Sequence, residues 1–203
     1  MKLYYAPGAC SLSPHIVARE AGLPLELEQV DLGAKKAVSG EDYRRVNPKG
    51  YVPALRLDDG SVLTEGPAIV QYLADRKPAA GLVPPAGTIE RYRLQEWLGF
   101  LNSEIHKTWG ALFDPKTDRA PVVARLNQRL SFLESELEGR PCLLPSGFSV
   151  ADAYLFTLLN WAGFTGVDLA PYPALVRYAE RIGARPRVRE ALRAEGLLQE
   201  KAA

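Results

Sequence analysis

The sequence has few residues of the kinds that build metal centres or disulfide frameworks. Its 203 residues include only two cysteines, Cys10 and Cys142, and two histidines, His15 and His106. Two cysteines cannot form a disulfide framework, and this composition fits a reducing compartment. Because zinc sites draw mainly on Cys and His ligands, we predict that the protein has no metal centre.

The chain also lacks an excess of charge of one sign and any long apolar run. It carries 25 Lys and Arg against 24 Asp and Glu, a formal net charge of +1, whereas nucleic-acid binders usually carry a basic excess. No stretch approaches the roughly 20 apolar residues that span a bilayer. Pro7 and Gly8 interrupt the N-terminal apolar residues too early for a secretion signal. We therefore expect a cytoplasmic protein that binds neither nucleic acid nor membranes.

Three motifs typical of hydrolases and nucleotide-binding enzymes are missing as well. The chain contains no G-x-S-x-G, no G-x-x-x-x-G-K-[ST] and no G-x-G-x-x-G. These motifs supply a nucleophilic serine or a phosphate-binding loop. Their absence removes the usual support for a serine hydrolase, a P-loop nucleotidase or a dinucleotide-dependent dehydrogenase.

A segment rich in proline and glycine divides the chain. Residues 77–88 hold three prolines and two glycines in the sequence KPAAGLVPPAGT, which is typical of a linker between domains. We therefore predict two domains, over residues 1–77 and 88–203.

The first domain alternates strand-like and helix-like stretches. Helix starts are indicated near Ser11 and Glu65, each followed by a proline that is tolerated in a first helical turn. Alternating polarity or a flanking Asp-Gly turn predicts four strands, over residues 2–5, 25–30, 54–57 and 61–63. The order βαβ, an irregular stretch and then ββα predicts a small α/β domain.

The second domain shows helical periodicity throughout. Apolar residues recur at three- and four-residue steps over residues 94–112 and 126–137, the pattern of amphipathic helices. Residues 153–164 are apolar almost all round, which predicts a buried central helix. Ser149 and Asp152 have the spacing of a capping box at its start. We expect an all-helical bundle.

Cys10 is the first candidate catalytic residue. It follows a strand and precedes a helix, where unpaired N–H groups and the helix dipole favour an anion. A free thiol has a pKa of about 8.5, and a helix N-terminus can lower that value to about 3.5–7.5. This position predicts a reactive thiolate, without a neighbouring resolving cysteine because the local pattern is C-x-x-S. The alternative is a small, inert buried residue.

Two further segments carry the features of a peptide-binding site. If the Val52–Pro53 bond is cis, the backbone of Val52 is presented to an extended peptide; otherwise Pro53 only begins a strand. Glu65 and Gly66 open a helix, where free N–H groups suit a carboxylate and the acid suits an ammonium. One amino-acid zwitterion satisfies both, although an acid at a helix start is also common without a ligand.

A stripe of small and hydrogen-bonding residues runs along the long helix. Charged side chains usually collect on a solvated face, so this stripe predicts a face that lines a groove. His106 and Lys107 are then placed to donate to a thiolate or an acidic substrate, or else His106 is an ordinary surface histidine. The stripe consists of Gly99, Asn102, Ser103, His106 and Gly110.

Taken together, these features resemble the cytosolic glutathione transferases, and most closely their bacterial beta class, which carries a cysteine at the position matched by Cys10. Residues 47–55 (NPKGYVPAL) resemble the family signature N-P-x-G-x-V-P-x-L, and residues 64–69 (TEGPAI) its acid-serine-x-A-I segment, with Gly66 in place of serine. The capping box and the helix residues Ser103, His106 and Lys107 also match. The resemblance implies a thioredoxin-like N-terminal domain, an all-helical C-terminal domain and a cis Pro53.

The resemblance also implies roles for individual residues. Cys10 and His106 act at the sulfur of glutathione, and the backbone of Val52 pairs with its cysteinyl part. Glu65 and the Gly66 N–H hold its γ-glutamyl end. The remaining residues of the implied glutathione site are Tyr51, Pro53, Ser103 and Lys107.

We therefore expect a glutathione transferase that joins the thiolate of glutathione to a small apolar electrophile, in a pocket that includes Trp109 and Leu112. Glutathione is the co-substrate, with no other cofactor, and the family implies a homodimer. Two alternatives stay open. One is thiol–disulfide exchange through a mixed disulfide on Cys10, and the other is a non-catalytic carrier of apolar ligands.

Overall fold

The structure is a computed structural model that describes residues 1–198, and it forms two compact units. Unit 1 is Met1–Leu82 together with the segment that begins at Arg185, and unit 2 is Val83–Ala184. The predicted domain limits, 1–77 and 88–203, stay a prediction, and residues 199–203 of the second lie outside the described residues.

Unit 1 contains a five-stranded mixed sheet in the order β3-β2-β1-β4-β5. The central strand β1 runs parallel to β2 and antiparallel to β4, with Leu3 opposite both Leu27 and Leu55. Its central place explains why Leu3 and Tyr4 are fully buried. The strands are β1 (Lys2–Tyr5), β2 (Glu26–Asp31), β3 (Lys36–Ala37), β4 (Ala54–Arg56) and β5 (Val62–Thr64).

Helices cover this sheet. Apolar residues on one face of each longer helix, such as Ile16 and Ile69, are fully buried. The C-terminal helix packs against the first helix and so belongs to unit 1. The helices are α1 (Leu12–Glu20), α2 (Tyr43–Val46), α3 (Gly66–Asp75) and, at the C-terminal end, α10 (Pro186–Ala194). Strand β3 and helix α2 occupy the stretch predicted to be irregular, because two and four residues are too few to show a period.

Unit 2 is helical, and with the sheet of unit 1 it confirms the predicted fold class. Its helices are α4 (Ile89–Phe100), α5 (Lys107–Gly110), α6 (Arg119–Leu137), α7 (Val150–Leu159), α8 (Trp161–Thr165) and α9 (Pro173–Gly183). Every residue of α7 is buried, as predicted for this part of the apolar run 153–164, whereas Phe164 at the end of that run is 60% exposed. In residues 1–198, no helix has the length and apolar character that crossing a membrane requires.

Two helices of unit 2 are less regular than predicted. The predicted long helix contains a π-helical segment, Leu101–His106, between α4 and α5. The predicted buried helix ends at Leu159, and α8 begins after Asn160. The side-chain amide of Asn160 donates to Phe156 O at 2.7 Å, a local hydrogen bond that competes with helical ones.

Candidate functional site

Cys10 lies in the turn between β1 and α1, beside the loop that precedes β4. Its Sγ donates a hydrogen bond to the carbonyl oxygen of Val52 at 3.2 Å. The Val52–Pro53 peptide bond is cis, as the resemblance implied. The fold thus brings Cys10 into contact with Val52, which lies 42 positions away in the sequence and directly precedes the cis Pro53.

The charge state of Cys10 differs from the prediction. The pKa of its thiol is raised to about 12, mainly by burial and to a smaller extent by the nearby charge of Glu65. The backbone N–H groups of Cys10 and Ser11 lower the pKa, but by less than burial raises it. The predicted thiolate at residue 10 is therefore wrong for the ligand-free protein, because the helix-terminus effect is smaller than the cost of burying a charge. Cys10 is a neutral hydrogen-bond donor.

This pKa predicts slow alkylation of Cys10. In a Cys142→Ala variant, the rate of reaction with iodoacetamide should still be rising tenfold per pH unit at pH 9–10, because only the thiolate reacts. A thiolate at neutral pH would instead give a rate that is already level at pH 7. Mass spectrometry follows the rate, and the Cys10→Ala/Cys142→Ala double variant measures the background.

A second group of predicted residues surrounds the start of α3. Glu65 precedes this helix, and its carboxylate accepts hydrogen bonds from Lys49 Nζ and from the Tyr51 hydroxyl. Asn47 and Tyr43 hold this loop by donating to the carbonyl oxygen of Tyr51 at 2.7 and 2.9 Å. Glu65 and Tyr51 are both exposed, so a ligand can reach them. The sequence analysis gave Lys49 no role, although it lies inside the recognised motif.

In unit 2, the π-helical segment presents His106 to α7 and α8. Its Nδ1 is 2.5 Å from the Tyr154 hydroxyl, and its ring meets the Trp161 ring edge-on at 5.0 Å. Ser103 and Lys107, on the same stretch of helix, are exposed. Sequence reasoning missed Tyr154. Its signal was a phenol hydroxyl within a largely apolar stretch of helix, because a buried hydroxyl usually has a hydrogen-bond partner.

Trp109 and Leu112 lie in the core of unit 2. Trp109 is fully buried, Leu112 is buried, and the indole N–H of Trp109 donates to Thr165 Oγ1 at 2.8 Å. Their burial gives no support to the predicted role in an electrophile pocket, which stays a prediction. The adjacent Phe113 is half-exposed and packs edge-on against Trp161 at 5.2 Å.

Unit 2 also has a cavity of about 530 Å³ that none of the predicted site residues lines. Aromatic side chains, including Trp97, Phe100 and Phe132, form one wall of it. Across residues 1–198, no cluster of three or more His, Cys, Asp or Glu side chains is placed to hold a metal ion.

The sequence matches two domain families along most of its length. Residues 8–76 match the family described as glutathione S-transferase, N-terminal domain, and residues 95–186 match glutathione S-transferase, C-terminal domain. Over 200 residues the chain is 45% identical to glutathione S-transferase GstA of Escherichia coli O157:H7, covering 97% of this chain and 100% of that protein.

Solved structures agree with the sequence matches. A sphingomonad glutathione S-transferase complexed with glutathione is 49% identical with a TM-score of 0.94, covering 98% of this chain and 100% of that one. A beta-class glutathione S-transferase of Sphingomonas chungbukensis is 48% identical, with the same TM-score and coverage. The chain therefore belongs to the glutathione S-transferase family and resembles its bacterial beta class.

Proposed function

We propose that this protein binds glutathione and conjugates its sulfur to small apolar electrophiles. The observation that carries the proposal is the exposed carboxylate of Glu65 at the start of α3. This carboxylate already binds an ammonium group, the Nζ of Lys49, and the N-terminus of α3 offers backbone N–H groups beside it. An acid next to a helix start fits the ammonium and carboxylate of a γ-glutamyl group.

Family resemblance supplies the remaining assignments of the proposal. The backbone of Val52, held in its turn by the cis Pro53, pairs with the cysteinyl part of glutathione, and Tyr51 lies beside the γ-glutamyl end. We assign Ser103 and Lys107 to the ligand as well. The electrophile pocket at Trp109 and Leu112 also rests on sequence reasoning.

The pKa of Cys10 favours conjugation over exchange through a mixed disulfide. A thiol in water has a pKa of about 8.5, whereas that of Cys10 is about 12. Of two neighbouring thiols, the one with the lower pKa loses its proton first. The sulfur of glutathione is therefore the nucleophile. The single Cys10 S–H, which donates to Val52 O in the ligand-free protein, turns to donate its hydrogen bond to that sulfur when glutathione is bound.

A Cys10→Ala variant tests this division of roles. We expect it to keep glutathione-dependent conjugation of 1-chloro-2,4-dinitrobenzene, with kcat/KM reduced about tenfold, because it loses one hydrogen bond to a charged sulfur. The Cys142→Ala variant is the matched control and should keep full activity. Complete loss of conjugation in Cys10→Ala, with glutathione binding intact by calorimetry, would assign the nucleophile to Cys10. Failure of the wild type to bind glutathione would refute the proposed function itself.

Replacing Gly66 by serine is expected to increase the affinity for glutathione. The resemblance places serine at this position, and a Cβ built on Gly66 meets no atom within 4 Å. A Gly66→Ser variant should bind glutathione several-fold more tightly, because one added hydrogen bond is worth about 0.5–1.5 kcal/mol. Calorimetry measures the Kd, and Gly66→Ala separates the hydroxyl from the effect of removing glycine. Equal affinities in the Ser and Ala variants would contradict this prediction.

The same proposal includes the oligomeric state, location, role and co-substrate that the family implies. We propose a homodimer located in the cytoplasm, with a role in detoxification and with glutathione as the co-substrate in place of any other cofactor.

A further inference from the structure

The carboxylate proposed to hold the γ-glutamyl end of glutathione already binds an ammonium group of the chain itself. The Nζ of Lys49 donates to Glu65 Oε1 at 2.5 Å and to Thr64 Oγ1 at 3.0 Å. The Tyr51 hydroxyl donates to the same carboxylate oxygen at 3.2 Å. All four residues belong to unit 1, so this arrangement lies within one compact unit.

Of the two charged side chains, Lys49 leaves this contact more easily than Glu65. Their side chains are 45% and 50% exposed, so water can replace the contact that is lost. Asn47 Oδ1 accepts the Lys49 N–H at 3.2 Å and so holds its backbone, but the four-carbon side chain is flexible. Glu65 has a φ of 71°, a conformation that persists only where the surrounding structure holds it. We therefore expect the lysine side chain to move when a ligand binds, while the carboxylate stays in place.

The lysine side chain and the α-amino group of a γ-glutamyl ligand present the same chemical group, a primary ammonium with three hydrogen-bond donors. One carboxylate balances one such charge. If Lys49 stays when the ligand ammonium arrives, two like charges meet at Glu65 and repel each other. If Lys49 leaves, its hydrogen bonds to Glu65 and Thr64 are lost. Either course lowers the affinity for a ligand that carries an ammonium group.

We propose that Lys49 competes with the ammonium of the γ-glutamyl group for Glu65 and is therefore a specificity-determining residue. The inference rests on the proposed function, which makes that group the ligand of Glu65. Lys49 lowers the affinity for glutathione, because its charge opposes that of the incoming ammonium. It raises the affinity for an analogue without the α-amino group, because it supplies the ammonium that this analogue lacks. Lys49 thus reduces the difference in affinity between the two ligands.

Calorimetry of the full chain with two ligands tests this competition. The ligands are glutathione and glutaryl-cysteinyl-glycine, in which hydrogen replaces the α-amino group. Lys49→Met removes the charge, so it should bind glutathione about two- to fivefold more tightly, the range expected for an exposed ion pair. It should bind the analogue more weakly than the wild type does, because neither residue 49 nor the ligand then brings an ammonium to Glu65. The ratio of the Kd of the analogue to that of glutathione should therefore rise by more than the gain for glutathione.

Two further variants serve as controls. Lys49→Arg keeps a cation at this position and should give nearly the wild-type ratio of Kd values. Lys77→Met removes the same charge from an exposed position beyond the C-terminal end of α3, whereas Glu65 precedes its N-terminal end. It should leave both Kd values unchanged, and an effect equal to that of Lys49→Met would trace the gain to net charge and overturn the inference.

The ratio of Kd values separates this inference from a purely structural role of Lys49. A structural role would change both Kd values by the same factor, and an unchanged ratio in Lys49→Met overturns the inference. Unchanged or weaker binding of glutathione in Lys49→Met overturns it as well, because the lysine would then not oppose the ligand. A wild type that does not bind glutathione would refute the proposed function and this inference with it, whereas binding with an unchanged ratio would refute the inference alone.

Discussion

Replacing Asp152 by alanine is expected to lower the free energy of unfolding by about 3–5 kcal/mol. Asp152 lies in the first turn of α7 and is fully buried. Its Oδ1 accepts hydrogen bonds from the Leu143 N–H and the Tyr178 hydroxyl, both at 2.9 Å. Its Oδ2 accepts from the N–H and the hydroxyl of Ser149, both at 2.8 Å.

The size of this effect follows from what the carboxylate holds together. It joins the loop at Leu143, the N-cap of α7 and helix α9, which carries Tyr178. Without it, two backbone N–H groups and a phenol hydroxyl lose their acceptor inside the core, and each such group costs about 1–3 kcal/mol. Burial raises the pKa of Asp152, while the four donated hydrogen bonds oppose that rise.

Urea denaturation measures the change in the free energy of unfolding, with Asp168→Ala as the matched control. Asp168 also accepts a backbone N–H, from Ala170 at 2.8 Å, but it is exposed, and its loss should cost less than about 1 kcal/mol. Asp152→Asn, which keeps one accepting oxygen, should fall between the wild type and the alanine variant. If Asp152→Ala and Asp168→Ala lost similar amounts of unfolding free energy, burial would not be the reason for the large effect at Asp152.

The elements of the fold were predictable because their signals are local. The alternation in residues 25–30 and the all-round apolar residues after Ser149 each specify an element within a few positions. The capping-box spacing of Ser149 and Asp152 is local as well, and the structure bears it out. What the spacing does not show is that Asp152 also receives the Tyr178 hydroxyl, 26 positions away.

The properties of the site residues were less predictable because they depend on distant neighbours. The position of Cys10 followed from the sequence, but its pKa is set by burial beside Val52, which lies 42 positions away. The orientation of His106 depends on Tyr154, 48 positions away. A pattern within one helix predicts the face on which a residue lies, but it does not identify the hydrogen-bond partner on the opposing element.

The second large effect on stability is expected at Glu195, whose hydrogen bonds join residues that are farther apart in the sequence than those above. Glu195, which follows α10, is buried in unit 1, where its Oε1 binds His15 Nδ1 at 2.9 Å and its Oε2 accepts the Gly8 N–H at 3.0 Å. Arg19 Nε donates to His15 Nε2 at 3.3 Å, so the ring donates from Nδ1. One carboxylate thus fastens the end of α10 to α1 and to the turn that leads into Cys10.

We expect Glu195→Ala to lower the free energy of unfolding by about 3–5 kcal/mol, because His15 and the Gly8 N–H lose their acceptor in a buried place. Glu195→Gln keeps one accepting oxygen and should lose less than half of that. The control is Glu190→Ala on α10, which removes an exposed pair with Arg187 and should cost less than about 0.5 kcal/mol.

Two measurements check the Glu195 prediction and show which part of the protein loses stability. Urea denaturation gives the change in the free energy of unfolding, and hydrogen exchange reports the opening of the turn at Gly8. This turn leads into Cys10, so the thiol should be exposed more often in the Glu195→Ala variant. Iodoacetamide should therefore alkylate it faster than in the wild type at the same pH. An unchanged rate of exchange at Gly8 would show that the carboxylate does not hold the turn, because a lost acceptor frees that N–H to exchange with water.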